Sequence, residues 1–113
     1  MESILTSIKK LLGISEEYEH FDKDLIMHIN SVFLVLNQLG VGPSQPFFIY
    51  DKEDTWNDFF DGNINLELVK SYVYLKVKLL FDPPLSSAVI ESTNRMISEF
   101  EWRLNVAVDP KED

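Results

Sequence analysis

INLELVKSYVYLKVKLLF, Ile64 to Phe81, decides the fold, and it runs straight into Asp82, Pro83 and Pro84. Read at helical pitch, Glu67, Ser71, Tyr74 and Lys78 fall on one narrow polar stripe. Leu66, Val69, Val73, Val77 and Leu80 form one apolar face, and Leu68, Tyr72, Leu75 and Leu79 form another. A helix apolar on most of its circumference is packed by neighbours on two or more sides. Its β-branched and aromatic residues would also suit a strand. The stretch is too long for one without an internal turn, so the pattern predicts a helix over 64–81. At about 1.5 Å per residue it spans roughly 27 Å, the width of a small domain. Asn63 or Asn65 can cap its start, Glu67 suits its positive end, and Pro83-Pro84 stops it.

Working outward, the other segments read as helices that cover this one. Ile4, Leu5, Ile8, Leu11 and Leu12 share a face of a short helix over 2–12, which Gly13 ends. Residues 14–21 make an acidic connection. Leu25, Ile29, Val32, Leu36 and Leu39, with Ile26 and Phe33 beside them, predict a long helix over 22–39. Two glycines and two prolines in GVGPSQP open a loop over 40–54, in which Phe47 to Tyr50 could be briefly extended. Thr55 and Asp58 have the spacing of a capping box for a short helix over 55–60, whose Trp56, Phe59 and Phe60 dock on the core. Ser86 or Ser87 caps a last long helix over 86–105. Val89, Thr93, Met96, Ile97, Phe100 and Leu104 lie along one of its faces, and Glu91–Arg95 and Glu99–Arg103 pair on its surface. Residues 106–113 read as an extended tail. The expectation is an all-α single domain: a small bundle of three longer helices and two short ones.

The chain has 113 residues, is 45% hydrophobic and contains no cysteine. Disulfide and thiolate chemistry are excluded, and a reducing compartment is the natural setting. No apolar run approaches the ~20 residues of a membrane span, so no membrane role is expected. The net charge of -9 argues against a general nucleic-acid surface. Residues 14–24 and 51–61 each carry five acids and one lysine, and 99–113 carry five acids and two bases. Such runs are either solvated surface or patches that meet basic ones on a partner or on another copy. Lys70, Lys76 and Lys78 on the central helix are candidates for that complement toward a neighbouring subunit.

Catalytic or metal-binding patterns are missing. His20 and His28, with Asp22 and Asp24, lack the spacing of a metal site. His28 and Ser31 share a helix surface without an oxyanion donor. No phosphate-binding or hydrolase motif is present, so no enzyme activity, metal or cofactor is expected. The aromatic residues are more informative. Trp102 lies off the Phe100–Leu104 face, so it packs on another helix of the chain or anchors a partner. Tyr74 and the apolar Val106–Val108 pose the same choice.

LVKSYVYLKVKLLFDPPLSSAVIES, residues 68–92, followed by EFEWRLN, residues 99–105, resembles the head–tail connector family of tailed phages and prophages. In that family a Phe-Asp-Pro-Pro-like turn ends one helix and a Glu-Trp-Arg-Leu-like sequence ends the next. DLIMHINSVFLVLNQLGVGP, residues 24–43, is similar to a Gram-positive branch of the same family. The resemblance runs from about Leu5 to Pro110.

The resemblance implies a structural virion protein at the head–tail junction, assembled in the host bacterial cytoplasm. It would form a ring beneath the portal protein, continuing the portal's twelvefold symmetry. The ring would join a stopper or tail-completion protein, and DNA would pass through its hole without specific binding. Phe81, Asp82, Pro83 and Pro84 match the family turn and would set the angle between the last two helices. Trp102, Arg103 and Asn105 match the family's helix end; with Val106, Val108 and Asp109 they are expected to face the portal. Loop residues Pro43, Pro46, Phe47 and Phe48 are expected to face the next ring or the tail. A ring needs unlike surfaces that match between copies, and acids lining its hole would repel phosphate and let DNA slide. The alternative is a small acidic inhibitor that mimics DNA against a host DNA-processing enzyme. Mimicry calls for acids along one continuous face, whereas here they fall mainly in connections and near helix ends.

Overall fold

The computed structural model describes residues 2–59 and 66–108, with side chains as far as 106. Among them are five helices and no strand: α1 (Ile4–Leu12), α2 (Asp22–Gln38), α3 (Trp56–Phe59), α4 (Leu66–Phe81) and α5 (Ser87–Val108). Asn63, Ile64 and Asn65, the expected start and caps of the central helix, lie outside the described residues, as does Phe60. The expected all-α bundle is what the chain forms.

α4 is the central helix. It packs on α2, α5 and α1, and its Val69, Tyr72, Val73 and Val77 are buried. The two expected apolar faces are both used, except that Leu80 is half exposed. α2 buries Leu25, Ile29, Val32, Phe33 and Leu36, and α1 buries Ile4, Leu5 and Ile8, as their periodicities require. Ring contacts of Phe33, edge-on with Phe47 and Trp56 and tilted with Phe59, bring the loop and α3 onto α2.

The caps are local and legible. The Thr6 N–H donates to Ser3 Oγ at the start of α1, and Gly13 takes φ 82° at its end. Thr55 and Asp58 close the capping box in both directions, at 3.0 and 3.3 Å. Ser86 Oγ accepts from the Val89 N–H at the start of α5. Glu2 and Ser3 precede the helix, which begins at Ile4. Residues 2–4 run beside 54–56, with the Ile4 N–H donating to Asp54 O and the Trp56 N–H to Glu2 O.

Phe47 to Tyr50 lie in the expected loop, where the Asn30 side chain takes the place of a pairing strand, accepting from the Ile49 N–H at 2.7 Å and donating to its carbonyl at 3.0 Å. One expectation needs correction. The extended tail does not begin at 106, because α5 runs on to Val108. No glycine or proline interrupts Ser87–Val108, and Asn105 Nδ2 ties that turn to Leu39 O at 3.3 Å. Beyond Val108 the expected tail lies outside the described residues.

A buried cation was not foreseen. Lys9, 2% exposed, donates to the carbonyls of Glu16 at 3.0 Å and Tyr18 at 2.7 Å, and its Nζ stands 2.9 Å from Asp22 Oδ1. A buried ammonium needs its three donors satisfied. Here the acidic connection folds around it and is thereby fixed between α1 and α2. Lys9→Met leaves the Asp22 carboxylate and both carbonyls without their partner. It is expected to cost about 3 kcal/mol, read as a lowered midpoint in urea unfolding. An unchanged midpoint would show that the connection is held by something else.

Candidate functional site

α5 is a 22-residue helix laid along one side of α4. Among its described side chains only Ile97 and Leu104 are buried, with Phe100 half-buried between them. Glu101 fixes the register: its Oε2 accepts from the Tyr72 hydroxyl at 2.8 Å and lies 3.9 Å from Lys76 Nζ. Val89 and Met96, expected on the packed face, are half exposed because they sit at its edge. Most of the remaining α5 side chains are exposed.

Trp102 is 67% exposed, and Val106 one turn later is half exposed. Of the two fates open to Trp102, packing within the chain is the one the structure excludes. Arg103 is held by Glu99 at 2.7 Å, and Arg95 stands 3.6 Å from Glu91, as their spacing requires. Asn105 points back to α2. Trp102, Arg103, Asn105 and Val106 therefore share one end of α5, with three side chains outward and one inward. Val108 closes the helix, and Asp109 lies outside the described residues.

The three lysines of α4 are each engaged within the chain. Lys70 pairs with Glu2 and stands 5.8 Å over the Trp56 ring. Lys76 meets Glu101 and the Tyr72 ring. Lys78 pairs with Asp82 at 3.2 Å, one turn on. All three stay partly exposed.

In the loop, Gly42 has φ 91° and stands close against the Phe59 ring, leaving no room for a side chain. Asn37 Nδ2 holds the carbonyls of Pro43 and Ser44. Phe47 packs on Phe33 and Phe59, so it belongs to the core edge, while Pro46 and Phe48 are exposed. Tyr50, 78% exposed, stands beside them. The Phe-Asp-Pro-Pro turn is anchored by Phe81, edge-on to Phe21 at 5.1 Å, and by the Asp82 N–H donating to Lys78 O at 2.8 Å. Leu85, just after it, is fully exposed. Sequence reading missed Tyr50 and Leu85 as surface residues; their place beside prolines in connections was the available signal.

The chemistry of the described residues is that of packing and ion pairing. The Ser31 hydroxyl donates to the His28 carbonyl at 2.7 Å, a helix-surface bond. Among the described residues no three His, Asp or Glu side chains converge as a metal site would require. Among the described residues no helix is long and apolar enough to cross a membrane.

Among the described residues the Tyr72 phenol is the one strongly shifted group. Burial raises its pKa above the ordinary 10.0, and the hydrogen bond and charge of Glu101 push the same way. A folded-state pKa raised in this way gives stability that is complete below pH about 10 and lost as pH rises beyond it. Thermal unfolding followed from pH 8 to 11 is therefore expected to show Tm falling at the alkaline end. Tyr72→Phe should flatten that fall while costing about 1.5 kcal/mol at neutral pH. Equal alkaline slopes would show that Tyr72 does not carry the effect.

A model of the phage connector protein family matches residues 4–111. No curated protein and no solved structure matches.

Proposed function

Because the chain belongs to the phage connector protein family, whose role is structural at the head–tail junction, we propose that its copies form a ring beneath the portal. The ring joins the capsid to the tail and lets DNA pass through its centre. The observation that carries this reading is α5, a long helix packed on one side only and bearing an exposed tryptophan at its end. A surface helix that stays unpacked along most of its girth suits a chain completed by neighbours.

In this proposal the C-terminal end of α5 meets the portal through Arg103, Asn105, Val106, Val108 and Asp109, with Trp102 at the edge of that face. Pro43, Pro46, Phe47 and Phe48 turn toward the stopper or the next ring. Lys70, Lys76 and Lys78 lie where neighbouring copies meet, their charge partly taken by Glu2, Glu101 and Asp82 and partly open to another copy. The exposed acids of 16–19 and 51–54 leave much of the surface negative, which keeps phosphate from sticking. Assembly takes place in the host cytoplasm, before the tail is joined.

The test is co-purification with the portal of the same phage, read by electron microscopy. The full chain is expected to add a ring of density under the portal. A chain ending at Asn105 lacks the last turn of α5 and is expected to lose that density while keeping its helical circular dichroism. A full chain that stays monomeric with the portal present overturns the proposal.

A further inference from the structure

The two flanks of α4 are unlike surfaces at the same height. One carries Tyr72, Lys76 and Leu79 and is covered by α5. On the other, α1 and α4 leave a groove of about 280 Å³ lined by Lys10, Leu11, Glu67, Lys70, Ser71 and Tyr74. At 3.6 residues per turn the two sets lie about 160° apart around α4. On α5, Trp102 lies about 150° from the buried Ile97 and Leu104, so it points directly away from α4. α5 runs antiparallel to α4, and the Tyr72–Glu101 bond puts Trp102 level with Ser71. An exposed indole on one flank thus stands at the height of a groove on the opposite flank.

We infer that Trp102 of one copy seats in the α1–α4 groove of the next. The inference rests on the ring proposed above, since a ring needs two different surfaces on opposite sides of each copy. Charge favours the same seating. Lys10 at the groove has no ion pair among the described residues, and Glu67 is widely exposed and reaches Lys70 only at 4.0 Å. Beside Trp102 stand Glu99 and Arg103. Glu99 meets Lys10 and Arg103 meets Glu67, opposite signs in both cases. Half-exposed Leu11 and half-buried Tyr74 supply the apolar walls that an indole anchor requires.

The experiment replaces Trp102 by the photoreactive benzoylphenylalanine, which keeps an aromatic ring there, in connector–portal particles made with the full chain. After irradiation, the linked peptides are identified by mass spectrometry from particles of mixed isotopic composition. The expected product joins residue 102 to residues 2–11 or 67–74 of another copy. In a second measurement, Trp102→Ala is expected to weaken self-association at least tenfold with unchanged circular dichroism, because the side chain is exposed. Linkage to the portal, to a tail component or to the same chain overturns the inference. So do rings visible by electron microscopy that give no link, or an alanine variant that assembles normally; these outcomes leave the ring itself standing. Particles with no ring at all remove both the ring and this contact.

Discussion

A helix apolar around most of its circumference must be covered from several directions, and the rest of this chain is arranged to do that for α4. α2 takes the side of Val69, Val73 and Val77, α5 takes Tyr72 and Leu79, and α1 closes on Lys70 and Tyr74. Burial of each large apolar side chain contributes about 1.5–3 kcal/mol, which outweighs any preference of the separate helices to form alone. The connections follow from that demand. Pro83-Pro84 reverses the chain so that α5 returns along α4, and α3 tucks Trp56 beneath α1.

Several polar groups carried inward by this packing are given partners of stated geometry. Trp56 Nε1 donates to Ser7 Oγ at 2.8 Å, and that hydroxyl in turn donates to Ile4 O. Lys9 gathers two carbonyls and a carboxylate. Tyr72 keeps its proton because it is buried and because its hydroxyl donates to an acid. Each case converts a burial cost into an orientation: α1 is aligned with α3, the acidic connection with α2, and α5 with α4. The register of the last pair, set by one phenol, determines where Trp102 stands.

How far the sequence could be read depended on whether a feature was local. Periodicity found the four longer apolar patterns, and short-range chemistry found the Thr55–Asp58 box, the Gly13 stop and the Phe81–Pro84 turn. What escaped depends on contacts between distant residues. Lys9 reads as a solvent residue because two of its three acceptors are backbone carbonyls, which leave no trace in composition. Asn30 substitutes for a strand nineteen positions away. The helical continuation through Val106 was hidden because three apolar residues outside the preceding stripe look like a tail, whereas the absence of a breaker was the better guide. Trp102 was recognised as off the packed face, but only the arrangement of helices decides that none comes to meet it.

The molecule measures 47 × 36 × 18 Å. The shortest extent leaves room for about two layers of helices, so the outer helices keep one side open to water or to a partner. Whatever covers a broad face of such a body adds its free energy to the folded form alone, so folding and assembly become one equilibrium that rises with concentration. In the ring proposed above, the free chain is the form most open to unfolding and proteolysis, and the incorporated chain the most protected.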